Sequence, residues 1–227
     1  DLHRIDVYEA HGGYKALRKA LQMKPDDVTE EVKKSGLKGR GGACFPTGLK
    51  WTFMPKKSDK PKYLCVNGDE SEPGTFKDRQ IFEFNPHLMI EGTLIAAYAM
   101  GVSISYIYVR GEYGKWIKMI DKALHDAYAK GYIGQNILGS GFSTEIVVHR
   151  GAAAYICGEE SALMNSIEGD RGYPRVKPPF PAQNGLWGCA TTINNVETIS
   201  NVPLIINHGG EWYSKIGAPK HSGPILV

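Results

Sequence analysis

Three stretches of this sequence carry residues whose types and spacing could do chemistry. The first is GRGGACFPTGLKW, residues 39–51. Gly39, Gly41, Gly42 and Gly48 strip side chains from the backbone, and Lys50 and Trp51 follow directly. Bare backbone N–H groups can cradle a phosphate or a flat ring at close range; a tight structural turn is the alternative. The stretch is formally G-x-G-x-x, with Cys44 where a dinucleotide fingerprint has Gly or Ala. No strand precedes it and no Gly-Lys-Ser/Thr closes it, so neither that fingerprint nor a Walker loop fits. The second stretch is GDESEPGTFKDR, where Asp69, Glu70, Glu72 and Asp78 crowd beside Lys77 and Arg79. Carboxylates so placed suit Mg²⁺ or hydrogen bonds from sugar hydroxyls, or they form a solvated turn. The third is GAAAYICGEE, residues 151–160, whose Glu159 and Glu160 open a helix and complement its dipole.

Other chemistries find little support. Cys44, Cys65, Cys157 and Cys189 include no C-x-x-C pair, so zinc or an iron–sulfur cluster held by this chain alone is not expected. Free thiols and a reducing compartment are the expectation. No nucleophile–base triad is legible. A net charge of +3 over 227 residues is too small to argue for nucleic acid or an anionic membrane surface. No apolar run reaches the roughly 20 residues of a membrane helix, and the polar start DLHRIDVYEAHGG has no signal-peptide pattern. The expected setting is therefore intracellular.

These stretches need elements to hold them. Apolar spacing predicts helices over 12–23 and, opened by Pro25, over 25–32. KYLCVN (62–67), SISYIYVR (103–110) and TEIVVH (144–149) read as strands. Helices are predicted between them over 87–100 and 116–129, and after them over EESALMNSIEG. Strands alternating with such helices imply βαβ units, an α/β class and a parallel sheet. Ligands bind at the carboxyl ends of such strands, where the second and third stretches fall. RGYPRVKPPFPAQNGLWG is a proline-rich excursion. TTINNVETISNVPLIINHGG is read as a return to helix, with Val196, Ile199 and Val202 on one face. GPILV at the end resembles the start of a strand, and an unpaired apolar edge suggests a piece of a longer protein.

Taken in order, GRGGACFPTGLKW, NGDESEPGTFKDR, YIYVRGEY, GAAAYICGEESALMNSIEG and RVKPPFPAQNGLWG resemble the NADH-binding, flavin-carrying 51-kDa-type subunit of respiratory complex I. The resemblance covers nearly all the chain from Gly12 onward. It implies a Rossmann-like domain over 36–215, a helical N-terminal segment over 1–35 and a truncated ubiquitin-like domain beginning at 216–227. It implies FMN as cofactor and NADH as substrate, with hydride passing between them and no catalytic side chain. Gly39, Arg40, Gly41 and Gly42 then look like the backbone cradle and Lys50 like the basic contact to FMN. Asn67, Asp69 and Ser71 look like polar FMN contacts, and Asn194, Asn195 and Thr198 like a second set. Tyr155, Gly158, Glu159 and Glu160 look like the loop between flavin and nicotinamide. Glu72 is placed near the NADH ribose, and Phe45, Phe53 and Phe180 around the adenine with Lys177 nearby.

The lack of a second strand–glycine–helix fingerprint favours FMN over FAD. The family commonly has Gly at the position of Cys44; a free thiol behaves as a small buried hydrophobe, so Cys44 is expected to pack away from the cavity. The family's [4Fe–4S] ligands lie in a C-terminal domain that these residues do not include. The implied partners are the [2Fe–2S] 24-kDa-type subunit and the rest of the NADH-oxidising arm. The implied location is peripheral, on the cytoplasmic face of the plasma membrane or the mitochondrial matrix side. A diaphorase subunit of a NAD-linked hydrogenase or formate dehydrogenase is the enzyme-class alternative, and a flavin-free nucleotide-binding module the alternative from another class.

Overall fold

The computed structural model describes residues 1–218 and 221–223. Three short helices come first: α1 (Ile5–Ala10), α2 (Lys15–Ala20) and α3 (Pro25–Lys34). After the glycine stretch come α4 (Thr47–Thr52), β1 (Tyr63–Gly68), α5 (Lys77–Phe84), α6 (Pro86–Met100) and β2 (Ile104–Val109). Then follow α7 (Gly114–Ala129), β3 (Glu145–Arg150), α8 (Glu160–Glu168), β4 (Thr191–Asn195) and α9 (Val196–Ser200). The described chain closes with α10 (Val202–His208), α11 (Gly210–Ser214) and a small hairpin of β5 (Gly217–Ala218) and β6 (His221–Ser222).

The main sheet has four parallel strands in the order β3-β2-β1-β4, flanked by helices. This is the Rossmann-like α/β architecture. β1 is central and almost wholly buried, as a strand covered on both faces must be. α6 is apolar nearly all round and buried along most of its length beneath one face. α8 covers part of the other face, closing a second, smaller cluster around Cys65, Leu163, Met164 and Ile193. The winding runs from β1 outward to β2 and β3, then returns to place β4 on the opposite side of β1. The β1/β4 boundary is thus the topological switch point, where open α/β sheets bind ligands.

The N-terminal helices are tied to α6 by buried polar groups. Glu91 accepts hydrogen bonds from Tyr14 N at 2.9 Å and Leu17 N at 3.0 Å, and from the Tyr8 hydroxyl. Tyr14 Oη lies 2.9 Å from His87 Nδ1, and its ring stacks on Tyr132 with centroids 3.8 Å apart. Burial pushes the Glu91 carboxyl up and the His87 imidazole down to about 4.

Two sequence expectations are corrected. Helix was expected from residue 12, but Tyr14 takes a left-handed φ of 58° and α2 starts only at Lys15. More consequentially, Thr191–Asn195 is a strand paired in parallel with β1. Its β-branched run TTI suits the sheet, and the Asn195 side chain caps α9 by accepting from Glu197 N and Thr198 N, so helix begins only beyond it. Of the expected terminal strand GPILV, residues 224–227 lie outside the described residues.

Candidate functional site

A cavity of about 910 Å³ opens at the switch point. β4 lines it from Thr191 to Asn195, and Asn67 joins from the end of β1. Gly39, Gly41, Ala43, Cys44 and Phe45 of the glycine stretch form one wall, continued by Lys50 of α4 and Phe53 just after it. Gly158, Glu159 and Glu160, where α8 begins, form another, and Lys177 with Phe180–Gln183 adds the proline-rich segment.

The glycine stretch is a closed loop. Gly39 N donates to Phe45 O and Thr47 N to Leu37 O, both at 2.8 Å, and Arg40 N donates to the buried Thr198 Oγ1 at 2.8 Å. Its tip turns through left-handed backbone at Gly42, φ 107°, and Cys44, φ 52°. That φ explains why glycine suits position 44. It also corrects the expectation for Cys44: the thiol is exposed and on the cavity wall, because the turn aims it outward. Gly48 answers to packing instead of to a ligand. A Cβ there would fall 2.6 Å from Lys33 N, so glycine lets α4 lie against α3. Trp51 behind it is buried and donates from Nε1 to Asn194 Oδ1 at 3.0 Å, fixing a cavity side chain.

Four charges span the cavity. Lys50 Nζ lies 3.1 Å from Glu160 Oε2, and Lys177 Nζ lies 2.6 Å from Glu160 Oε1 and 3.1 Å from Glu159 Oε1. Burial alone would raise the Glu160 carboxyl, but the Lys50 and Lys177 ammonium groups outweigh it and hold it below the usual range. Glu159 also caps α8, its Oε2 accepting from Ser161 N and Ala162 N at 2.9 Å each. Phe45, Phe53 and Phe180 are each about half exposed around this group, with the Phe45 and Phe53 rings 6.0 Å apart.

The acidic loop divides its labour. Glu70 is buried and caps α5, accepting from Asp78 N at 2.8 Å and Arg79 N at 3.2 Å. Asn67 Nδ2 donates to Gly158 O at 2.9 Å, stitching the ends of β1 and the α8 turn together. Asp69 accepts from Ser71 Oγ at 2.9 Å through Oδ1, while its Oδ2 is buried without a partner. Burial raises its pKa. Glu72 is exposed and accepts from the Tyr155 hydroxyl at 2.6 Å. Among the described residues no group of three or more His, Cys, Asp or Glu gathers to hold a metal ion.

The structure therefore brings most of the expected residues to one cavity. Arg40, Gly42, Asp69, Ser71, Glu72, Tyr155 and Thr198 lie off its wall. Sequence reasoning missed Thr191, Thr192 and Ile193 on the wall; the β-branched run was the available signal.

Residues 32–204 match the family described as the Nuo51 FMN-binding domain. The chain belongs to this family. It is 55% identical over 227 residues to an F-type subunit of NADH-quinone oxidoreductase in Rhizobium meliloti, covering all of this chain and 54% of that protein. It is 56% identical over 225 residues to the F-type subunit of NADH-quinone oxidoreductase in Aquifex aeolicus, covering 99% of this chain and 53% of that one. The chain thus spans about half the length of these relatives. A crystal structure of NAD⁺-reducing [NiFe]-hydrogenase in the H₂-reduced state superposes with a TM-score of 0.81 at 38% identity, over 90% of this chain and 34% of that chain.

The residues present fit what an FMN-binding domain must hold. Thr192 is buried on the cavity wall and its hydroxyl has no hydrogen-bond partner. Asp69 lies off the wall, but its orphaned Oδ2 is 3.6 Å from where a Cβ on the wall residue Gly158 would sit. Buried polar atoms left unpaired are costly, and a polar ligand relieves that cost. Lys50 and Lys177 bring positive charge to the wall, and the cavity size suits a cofactor. No helix among the described residues is long and apolar enough to cross a membrane.

Proposed function

We propose that this chain is the module of an NADH:quinone oxidoreductase that holds FMN and NADH together and lets hydride pass from one to the other. FMN, when bound, supplies the electron-accepting chemistry, and the protein supplies binding, orientation and electrostatics. The observation carrying this reading is the cavity at the β1/β4 switch point, walled by the glycine loop and crossed by the Lys50–Glu160–Lys177 bridge.

Within it, Gly39 and Gly41 let a flat ring or phosphate approach the backbone, with Arg40 and Gly42 shaping the loop. Lys50 takes the FMN phosphate, exchanging its Glu160 partner for the more highly charged anion. Asn67, Asp69, Ser71, Asn194, Asn195 and Thr198 bind or brace the flavin, as do Gly158, Glu159 and Tyr155 at the α8 turn. Phe45, Phe53 and Phe180 stack on the adenine of NADH, and Lys177 and Glu160 sit beside it. Glu72 meets the ribose. Holding two rings in near-attack geometry can remove several kcal/mol of barrier without an acid or base.

The same reading divides the chain into an N-terminal helical segment, 1–35, a cofactor domain, 36–215, and the start of a further domain at 216–227. It makes a [2Fe–2S] subunit of the 24-kDa type the onward partner, and the membrane association peripheral. The likeness to the hydrogenase supports a second reading, in which the same NADH–flavin half-reaction serves another electron acceptor.

The test is cofactor identity. Cofactor released by heat from the purified, FMN-reconstituted chain and from chain offered FAD is separated by chromatography. FMN retained and FAD rejected supports the reading; retention of FAD, or of no flavin, contradicts it.

A further inference from the structure

Behind the cavity wall, at the end of β4, lies a buried charge cluster that the roles above leave unused. Asp78 is 3% exposed and Glu197 is also 3% exposed. Lys77 Nζ donates to Asp78 Oδ1 at 2.8 Å and to Asn195 Oδ1 at 3.3 Å, and lies 3.3 Å from Glu197 Oε2. Asn195 Nδ2 donates to Asp78 Oδ2 at 2.8 Å. Asn195 Oδ1 accepts from Glu197 N at 3.0 Å and Thr198 N at 3.3 Å.

This arrangement admits one orientation of the Asn195 amide. A carboxylate can only accept, so the amide nitrogen must face Asp78. The first N–H groups of α9 can only donate, so the amide oxygen must face them. The glycine loop then rests on this fixed group. A Cβ on Gly41 would lie 3.2 Å from Asn195 Cβ, and Arg40 N is bonded to Thr198 Oγ1 one turn further on. Buried ion clusters are often no more stabilising than apolar packing, and their best-attested use is to specify a geometry.

We propose that Asp78 is a positioning residue for the cofactor: through Asn195 it fixes the seat of the glycine loop on the cavity wall. The proposal rests on the reading of that cavity as the FMN site.

Removing the carboxylate, against keeping it, tests this. In Asp78→Asn one residue can no longer accept from both Lys77 and Asn195. Asp78→Glu keeps a carboxylate that can accept from both and leaves Asn195 itself unchanged. The 227-residue chain, stripped of flavin, is titrated with FMN and binding is read as quenching of flavin fluorescence, well below all melting transitions. Glu31→Gln, which weakens the remote contact to Gly210 N at 2.9 Å, controls for general loss of stability. Asp78→Asn is expected to weaken FMN binding about tenfold, the scale of one charged hydrogen bond. Asp78→Glu is expected to stay within about threefold of wild type, and Glu31→Gln within about twofold. The proposal is overturned if Asp78→Asn binds within twofold of wild type, if Asp78→Glu binds no better than Asp78→Asn, or if Glu31→Gln weakens binding as much. Absence of FMN binding by wild type is a different result: it removes the FMN reading itself, and the proposal with it.

Discussion

Two buried polar clusters in this protein use similar residues for different ends. One, of Tyr8, Tyr14, His87 and Glu91, lies off the cavity wall and anchors the N-terminal helices. Its central carboxylate takes backbone N–H groups of the α2 turn, so its bonds end within the fold. The other, of Lys77, Asp78, Asn195 and Glu197, ends at a side chain on the cavity wall. The difference teaches that burial alone does not mark a functional group. What separates the clusters is where their last hydrogen bond leads.

The largest expected effect breaks the first cluster. Glu91→Ala leaves Tyr14 N, Leu17 N and the Tyr8 hydroxyl unpaired in the core, and is expected to cost about 3 kcal/mol of stability. FMN affinity of the folded fraction should stay unchanged. Urea denaturation and flavin titration together check this, and a loss of affinity matching the loss of stability would erase the distinction between the clusters.

A comparable effect separates them by pH. His87, held neutral with a pKa near 4, contributes stability that is present above its ordinary value and lost as pH falls from about 6.5 to 4, by about 3 kcal/mol. Asp78 does the opposite. Burial raises it to about 6 despite Lys77, so its contribution is present below its ordinary value and is lost, by about 3 kcal/mol, as pH rises from about 4 to 6. Denaturation at pH 7 and at pH 4.5 should show His87→Gln gaining on wild type in acid, and Asp78→Asn falling further behind. Parallel shifts in both variants would contradict these assignments.

Smaller effects sharpen the contrast on the cavity side. Glu72 is exposed, so its repulsion of the extra phosphate of NADPH takes the water-like value of about 1 kcal/mol. Glu72→Gln should shift the ratio of NADPH to NADH dissociation constants about fivefold toward NADPH. A ratio within about twofold of wild type, roughly 0.4 kcal/mol, would move the discrimination elsewhere. Cys44→Gly removes a β-carbon from left-handed backbone, offset by the entropy of glycine, and should raise stability by about 0.5 kcal/mol. Thiol labelling of wild-type Cys44 should be rapid in the free protein and slowed by FMN and NADH; labelling indifferent to both would place the thiol off the ligand.

Much of the architecture was legible in the sequence. Apolar runs located β1, β2, β3 and the helices α6 and α7 between them, but not α5, whose first turn was read as part of the polar loop; period and length distinguish buried strands from helices. β4 was not legible, since TTINN is short and runs straight into the helix that Asn195 caps. Missing β4 hid the switch point, and with it Thr191, Thr192 and Ile193. The glycine loop, Lys50 and Glu160 were singled out from the sequence and do line the cavity, but the Lys50–Glu160 ion pair spans 110 positions in the chain and no local pattern encodes it. Gly48 and Glu70 drew attention as chemistry and turned out to serve packing and capping, which composition cannot separate from ligand binding.

The central claim is that this cavity brings FMN and NADH together for hydride transfer. Anaerobic mixing of the FMN-loaded chain with NADH, followed by flavin absorbance, tests it most directly. Stoichiometric bleaching of the bound flavin by NADH is the predicted result. Bound FMN that dithionite bleaches but NADH does not would contradict it.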